Sequence, residues 1–212
     1  MTGLMIAAIF ETIFMVFMSF FVGVIIGIPL AIFLFNNSNH GLRKCIFVYN
    51  ILEFLINAIR SIPYIILILL LIPVSRFLVG SSIGIYAAII PLSLSSILLI
   101  TKVVEEALYN LRKGLIDVGL AMGATNAQII WKILIPEALP NIVSGLTLII
   151  INLVGFSAMA GVVGGGGLGD LAIRYGYQRY NLEILGIIVV ILIVLVHLLQ
   201  SIGNIITKVT RK

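Results

Sequence analysis

The sequence predicts an all-α polytopic membrane protein with five transmembrane helices, and three observations carry that prediction. Of its 212 residues, 61% are hydrophobic and only 10% charged, against about 25% charged in a soluble domain. The apolar residues gather in five stretches close to the roughly 20 residues that a spanning helix needs. The basic residues sit at the ends of those stretches, mostly on one side, as orientation charge does. A single transmembrane domain over residues 1–212 is expected. The net charge of +5, spread in this way, belongs beside a lipid bilayer and not on nucleic acid.

Taken in order, the first span is expected over about 12–35. It is uncharged, and Gly23-x-x-x-Gly27 offers the small-residue spacing that lets helices approach closely. Glu11 precedes it, without a basic start and small-residue cleavage site, so the segment is expected to remain as an anchor. The second span is expected as one helix over about 54–79, kinked or restarted at Pro63. Asn50, Glu53, Asn57 and Arg60 recur at helical spacing as one polar stripe. That stripe has two readings: an interfacial helix turned to water, or Asn57 and Arg60 facing the bundle interior at the cytoplasmic mouth. The third span, about 83–100, holds Pro91, with Ser93, Ser95 and Ser96 expected to satisfy backbone groups that the proline frees. The fourth, about 140–160, holds Asn152, read as a buried polar residue that is either interhelical glue or a substrate contact. The fifth, about 184–206, holds His197, read as a hydrogen-bonded packing residue because no carboxylate lies near it in sequence.

Between the third and fourth spans lies a polar region, about 105–136. Asp117 suits the positive end of a helix dipole. Gly123 can leave the helix with positive φ. Thr125 and Gln128 have capping-box spacing, so a second helix should begin near Asn126. Pro136 is expected to end it. Two short helices joined in this way make a knob that another protein can grip.

Catalytic and cofactor motifs are not found. The glycine run Gly164–Gly167 is followed by Leu168-Gly169-Asp170, not by the Gly-Lys-Ser/Thr of a phosphate-binding loop. It also lacks the strand–helix setting of a dinucleotide fold. Tight turns and close helix approach are its expected role. Cys45 is alone, and His40 and His197 share no ligand spacing, so no metal is expected.

The spacing of Asp117-Val118-Gly119, then Ala121, Gly123 and Ala124, then Ile133-Leu134-Ile135-Pro136, resembles the signature loop of bacterial ABC-importer permeases. In that superfamily the glycine and the proline are anchors; Val118, Gly119 and Ile135 depart from its usual residues. The outer stretch narrows the resemblance. Ser157-Ala158-Met159-Ala160-Gly161, Gly164–Asp170 and Ile173–Arg179 resemble the methionine-importer permeases, as does Asn57-Ala58-Ile59-Arg60-Ser61-Ile62-Pro63. Where those proteins often have Tyr before the serine, this chain has Phe156.

The resemblance implies a type I ABC-importer permease fold in a bacterial inner membrane. It implies a non-catalytic subunit that imports methionine, of either hand, as a homodimer. Two ATP-binding subunits, which hold ATP and Mg, and an external methionine-binding protein are the implied partners. The region around Asp117 would be the coupling element. A permease for another small amino acid, a self-contained channel or carrier and a membrane scaffold are the alternatives. With the coupling loop inside, Arg43, Lys44, Arg60, Lys102, Arg112, Lys113, Lys132, Lys208, Arg211 and Lys212 are inside, and Arg76, Arg174 and Arg179 outside. Five spans then put the N-terminus outside and the C-terminus in the cytoplasm. At the outer end of the fourth span, Phe156 and Met159 are three apart, beside Ser157. An aromatic next to a thioether suits a passing thioether, so these three and Asn152 are candidate pathway residues.

Overall fold

The computed structural model describes residues 2–112 and 114–210. Lys113, Arg211 and Lys212, three of the basic residues assigned to the inner side, lie outside them. Among the described residues every regular element is helical. Helix α1 runs Thr2–Asn37, so it begins ten residues before the expected span and carries Glu11 inside it. α2, Ile46–Arg60, and α3, Tyr64–Val79, are two helices set at 103° to each other.

Of the kink or restart expected at Pro63 within 54–79, the structure has the restart: α2 ends at Arg60 and α3 begins at Tyr64. Pro63 takes φ −54° and ψ 134°, and a proline pushes the residue before it out of helical geometry. The Ser61 hydroxyl donates to the Asn57 carbonyl at 2.8 Å and closes α2. At 16 residues, α3 is about 24 Å long, short of the roughly 30 Å hydrocarbon core. Among the described residues four helices are long and apolar enough to cross alone; a fifth crossing exists only if the bent α2–α3 pair is one span.

Helix α4, Ile85–Tyr109, is the axis of the bundle. Its Leu92, Ser96, Ile100, Thr101 and Val104 are wholly buried among α1, α3 and α7. The crossing with α1 needs the glycines read from the sequence. A Cβ on Gly23 would lie 2.8 Å from Ser96 Cβ, and one on Gly27 2.9 Å from the Ile97 carbonyl oxygen. Thr101 Oγ1 donates to the Ile97 carbonyl of its own helix at 2.7 Å and lies 3.3 Å from the Gly27 carbonyl at the crossing.

Pro91 has no N–H to offer Ala87, four residues back. The donor that replaces it is not one of the nearby serines. Ser75 Oγ, from α3, donates to the Ala87 carbonyl at 3.1 Å, while the buried hydroxyls of Ser93 and Ser96 have no partner. The expectation for Ser93 and Ser96 is thus corrected: the third helix was better placed to reach the freed carbonyl.

Past α4 come α5, Gly114–Ala121, and α6, Asn126–Gln128. A π turn, Ile129–Leu134, then leads into α7, Ile135–Val162. Pro136 does not end a helix, contrary to expectation. Within the π turn the Ile135 N–H reaches back to Ile130, and Pro136 follows as the second residue of α7, where the bonding register changes and a missing N–H is tolerated. Asn126–Val162 is one 37-residue helical path.

After α7 come α8, Gly167–Leu171, a second π turn, Ala172–Tyr177, and then α9, Leu182–Thr210. Gly164, Gly166 and Gly167 take positive φ of 86°, 83° and 73°, which makes the tight turn into α8. α1 holds that turn. Glu11 Oε2 accepts from the Gly167 N–H at 2.8 Å, and Thr12 Oγ1 accepts from the Leu168 N–H at 2.9 Å. These are free amides at the start of a helix, matched by a carboxylate and a hydroxyl from another helix. His197, expected to be packed and hydrogen-bonded, is exposed on α9, because α9 touches the bundle along a narrow strip and turns most of its surface outward.

Candidate functional site

The knob is assembled from local signals. Asp117 lies in the first turn of α5, three residues after its start, and its side chain is exposed. At the other end Gly123 has φ +75°. Its N–H donates to the Leu120 carbonyl, and the Ala124 N–H to the Gly119 carbonyl, both at 3.0 Å. That pair of bonds is a Schellman stop. Thr125 Oγ1 then accepts from the Gln128 N–H at 3.3 Å, and Gln128 Oε1 from the Thr125 N–H at 2.9 Å, a complete capping box.

Gly119 is the buried contact of the knob. A Cβ there would come within 2.9 Å of Ile129 Cγ1 and 3.1 Å of Ile133 Cδ1, so its small size lets α5 lie on the π turn. Val118, Ala121 and Met122 point away from that contact, and Met122 is 81% exposed. Trp131, 62% exposed, adds an aromatic that the sequence reading overlooked. Its signal was there: the chain's one Trp sits in the middle of the motif.

Between the knob and the C-terminal ends of α1 and α4 is a cleft of about 320 Å³ lined by Asn39, His40, Lys44, Arg112 and Asp117 among others. The polar stripe of α2 divides in two. Glu53 joins Lys102 of α4 at 3.1 Å, and Lys102 also meets Glu105 at 2.8 Å. Asn57 and Arg60, further along, are exposed at the edge of a larger cavity of about 580 Å³. The walls of that cavity come from the α2–α3 break, from Ser95 and Leu98 of α4 and from Phe156 of α7. The structure thus brings Asn57, Arg60 and Phe156 together. Phe156 stacks on Tyr64 with ring centres 4.4 Å apart and planes 13° apart.

The other residues proposed for the pathway go elsewhere. Asn152 is exposed and not buried as expected; it shares an open stripe of α7 with Gly155 and Met159, which is 46% exposed. Ser157 is buried, and its hydroxyl donates to the Val154 carbonyl at 2.7 Å, so it faces the protein.

Set against known families, residues 23–212 match the model of the binding-protein-dependent transport system inner membrane component. The chain belongs to that permease family. The permease is 43% identical over 207 residues to the probable D-methionine transport system permease protein MetI of Vibrio cholerae, covering 98% of this chain and 92% of that protein. It is 39% identical over 208 residues to the Haemophilus influenzae protein of the same description, covering 98% of each. Among solved structures, it matches a chain of the inward-facing MetNI methionine ABC transporter with a TM-score of 0.97 and 40% identity, covering 100% of this chain and 98% of that one. A chain of an amino acid ABC transporter crystallised with histidines matches at a TM-score of 0.80 and 22% identity, a likeness of fold alone. The permease is therefore an inner-membrane, multi-pass component of a transport system. Within it, sequence reasoning missed Tyr64, although it directly follows the Asn57–Pro63 stretch, and missed the Glu11–Thr12 clasp on α8.

Proposed function

We propose that this chain is the translocating subunit of an ATP-driven importer for methionine, working as a homodimer with two ATP-binding subunits and an external methionine-binding protein. What supports the reading most is the full-length likeness, at 40% identity, to a chain of a methionine ABC transporter. ATP and Mg would be held by the ATP-binding subunits. The knob formed by Asp117, Val118, Gly119, Ala121, Gly123, Ala124 and the Pro136 junction is the element that a partner grips. Its exposed Val118, Met122 and Trp131 suit a groove on another protein.

The knob is held at its central turn by the Schellman stop and the capping box, and it is continuous with α7. A push on it is carried along one helical path of 37 residues, about 55 Å at 1.5 Å per residue. The π turn is a place where that path can change register. Asn152, Met159 and Phe156 ride on the same helix, so knob movement and pathway width change together. The knob end of the bundle faces the cytoplasm, with the N-terminus outside and the C-terminus inside, following the basic residues.

The test is uptake by vesicles reconstituted with the permease, its ATP-binding subunit and its binding protein, scanning the amino acids. ATP-dependent accumulation of methionine above the others is expected. Accumulation of a different amino acid, or uptake without ATP, overturns the assignment.

A further inference from the structure

We propose that the 320 Å³ cleft at the root of the knob is a binding site for the head group of an anionic phospholipid from the leaflet at that end of the bundle. The site goes beyond the importer reading and does not depend on which solute the permease carries. Its volume suits a small polar group, since small-molecule sites begin at roughly 300 Å³.

The walls come from the turn after α1, the end of α4 and the knob. The turn is tightly made. The Arg43 N–H donates to the Asn36 carbonyl and the Gly41 N–H to the Ser38 carbonyl, both at 3.0 Å. A Cβ on Gly41 would run into the Phe35 and Asn36 carbonyl oxygens. His40 meets the Tyr109 ring edge-on, with ring centres 4.2 Å apart, which fastens the turn to α4. Lys44 closes the turn at φ +53°, in the left-handed region that few lysines adopt.

Lys44 and Arg112 both line the cleft. Neither has a carboxylate within ion-pair distance among the described residues, and Asp117, on the knob side, pairs with neither. Two unneutralised cations facing one cleft attract an anion, and Asn39 and Asn126 add amide donors. α2 begins two residues after Lys44, with no acidic residue in its first turn and no side-chain cap, so its dipole adds positive potential. A head group with hydroxyls, such as that of phosphatidylglycerol, places its phosphate between Lys44 and Arg112 and offers Asp117 a donor.

Depth and an apolar track single out a lipid over a soluble anion. α4 has 25 residues, about 37 Å at 1.5 Å per residue, more than the roughly 30 Å hydrocarbon core. Its last turn, with Tyr109, stands in the head-group layer, where tyrosines gather. From the cleft α2 leads away with Phe47, Ile51, Phe54 and Leu55 exposed on one face, a surface that acyl chains cover. Basic pockets between spanning helices hold lipid head groups in this way. Val118, Met122 and Trp131, the side chains offered to an ATP-binding subunit, do not line the cleft, so lipid and subunit can be held together. A lipid so placed ties the turn after α1 to the knob.

Native mass spectrometry of the full-length permease, delipidated and then titrated with phosphatidylglycerol or with phosphatidylcholine of the same acyl chains, tests this. Retention of one phosphatidylglycerol per chain is expected, about tenfold stronger than phosphatidylcholine. Lys44→Gln combined with Arg112→Gln should abolish that preference. Arg76→Gln, in the last turn of α3 at the opposite end of the bundle, should keep it. A preference that survives the double change, or that Arg76→Gln removes as well, places the lipid elsewhere and overturns the site. Displacement of the lipid by millimolar glycerol phosphate would make the cleft a site for a soluble anion and overturn the lipid assignment. Equal retention of the two lipids by the unmodified protein sinks the proposal however the variants fold, and leaves the importer reading untouched because no transport is measured.

Discussion

Ser75 and Pro91 lie on different helices, yet the hydroxyl of one replaces the amide the other lacks. Removing it leaves the Ala87 carbonyl buried without its donor. Ser75→Ala should lower stability by about 1 kcal/mol, read as a lower Tm of the detergent-solubilised protein. Ser93→Ala, which deletes a hydroxyl that bonds nothing, should leave Tm unchanged. Equal losses from the two would show that the Ser75 bond contributes nothing. Met159 is judged at the same scale. Its thioether stands on the open stripe of α7 and not in the packing. Met159→Ala should alter methionine uptake by an amount worth about 1 kcal/mol, with the permease at wild-type level in the membrane; unchanged uptake kinetics would return the residue to a lipid-facing role.

In the knob, the elements show which signals a sequence carries. The Gly123 stop and the Thr125–Gln128 box were legible because each needs only residues a few positions apart. The α1–α4 crossing was legible in outline from the Gly23–Gly27 spacing. Pro136 was misread because the bonding register of the preceding turn is set by how Ile129, Ile130 and Leu134 pack into the core, which the local pattern does not contain. The partner of Ala87 and the cavity beside Tyr64 were not legible for the same reason: each joins helices remote in sequence. The knob also carries the sharpest functional test. Gly123→Pro cannot take φ +75° and removes the N–H that bonds Leu120; Asp117→Arg reverses the charge in the first turn of α5. Both variants should insert into the membrane normally and lose ATP-driven uptake. Wild-type uptake by both would remove the knob from coupling.

For the whole molecule, topology decides whether these parts face the partners assigned to them. With Cys45→Ser as background, a cysteine at Tyr180, 90% exposed, should react with an impermeant thiol reagent added outside intact cells. One at Met122 should react only after the membrane is opened. Labelling of both from the same side would overturn the orientation drawn from the basic residues. The clasp of Glu11 and Thr12 on the start of α8 has a consequence in time as well as in space. Its partners are 156 residues apart. At about 5–20 residues per second, a ribosome needs roughly 8–30 s to make the chain between them. Through that interval α1 already stands in the bilayer with a carboxyl side chain whose amide has yet to be synthesised. The N-terminal helix must therefore wait for almost the last one before either is settled. Nascent chains halted before Gly167 should be degraded by membrane proteases faster than those halted after Leu171, and Glu11→Leu should narrow that difference.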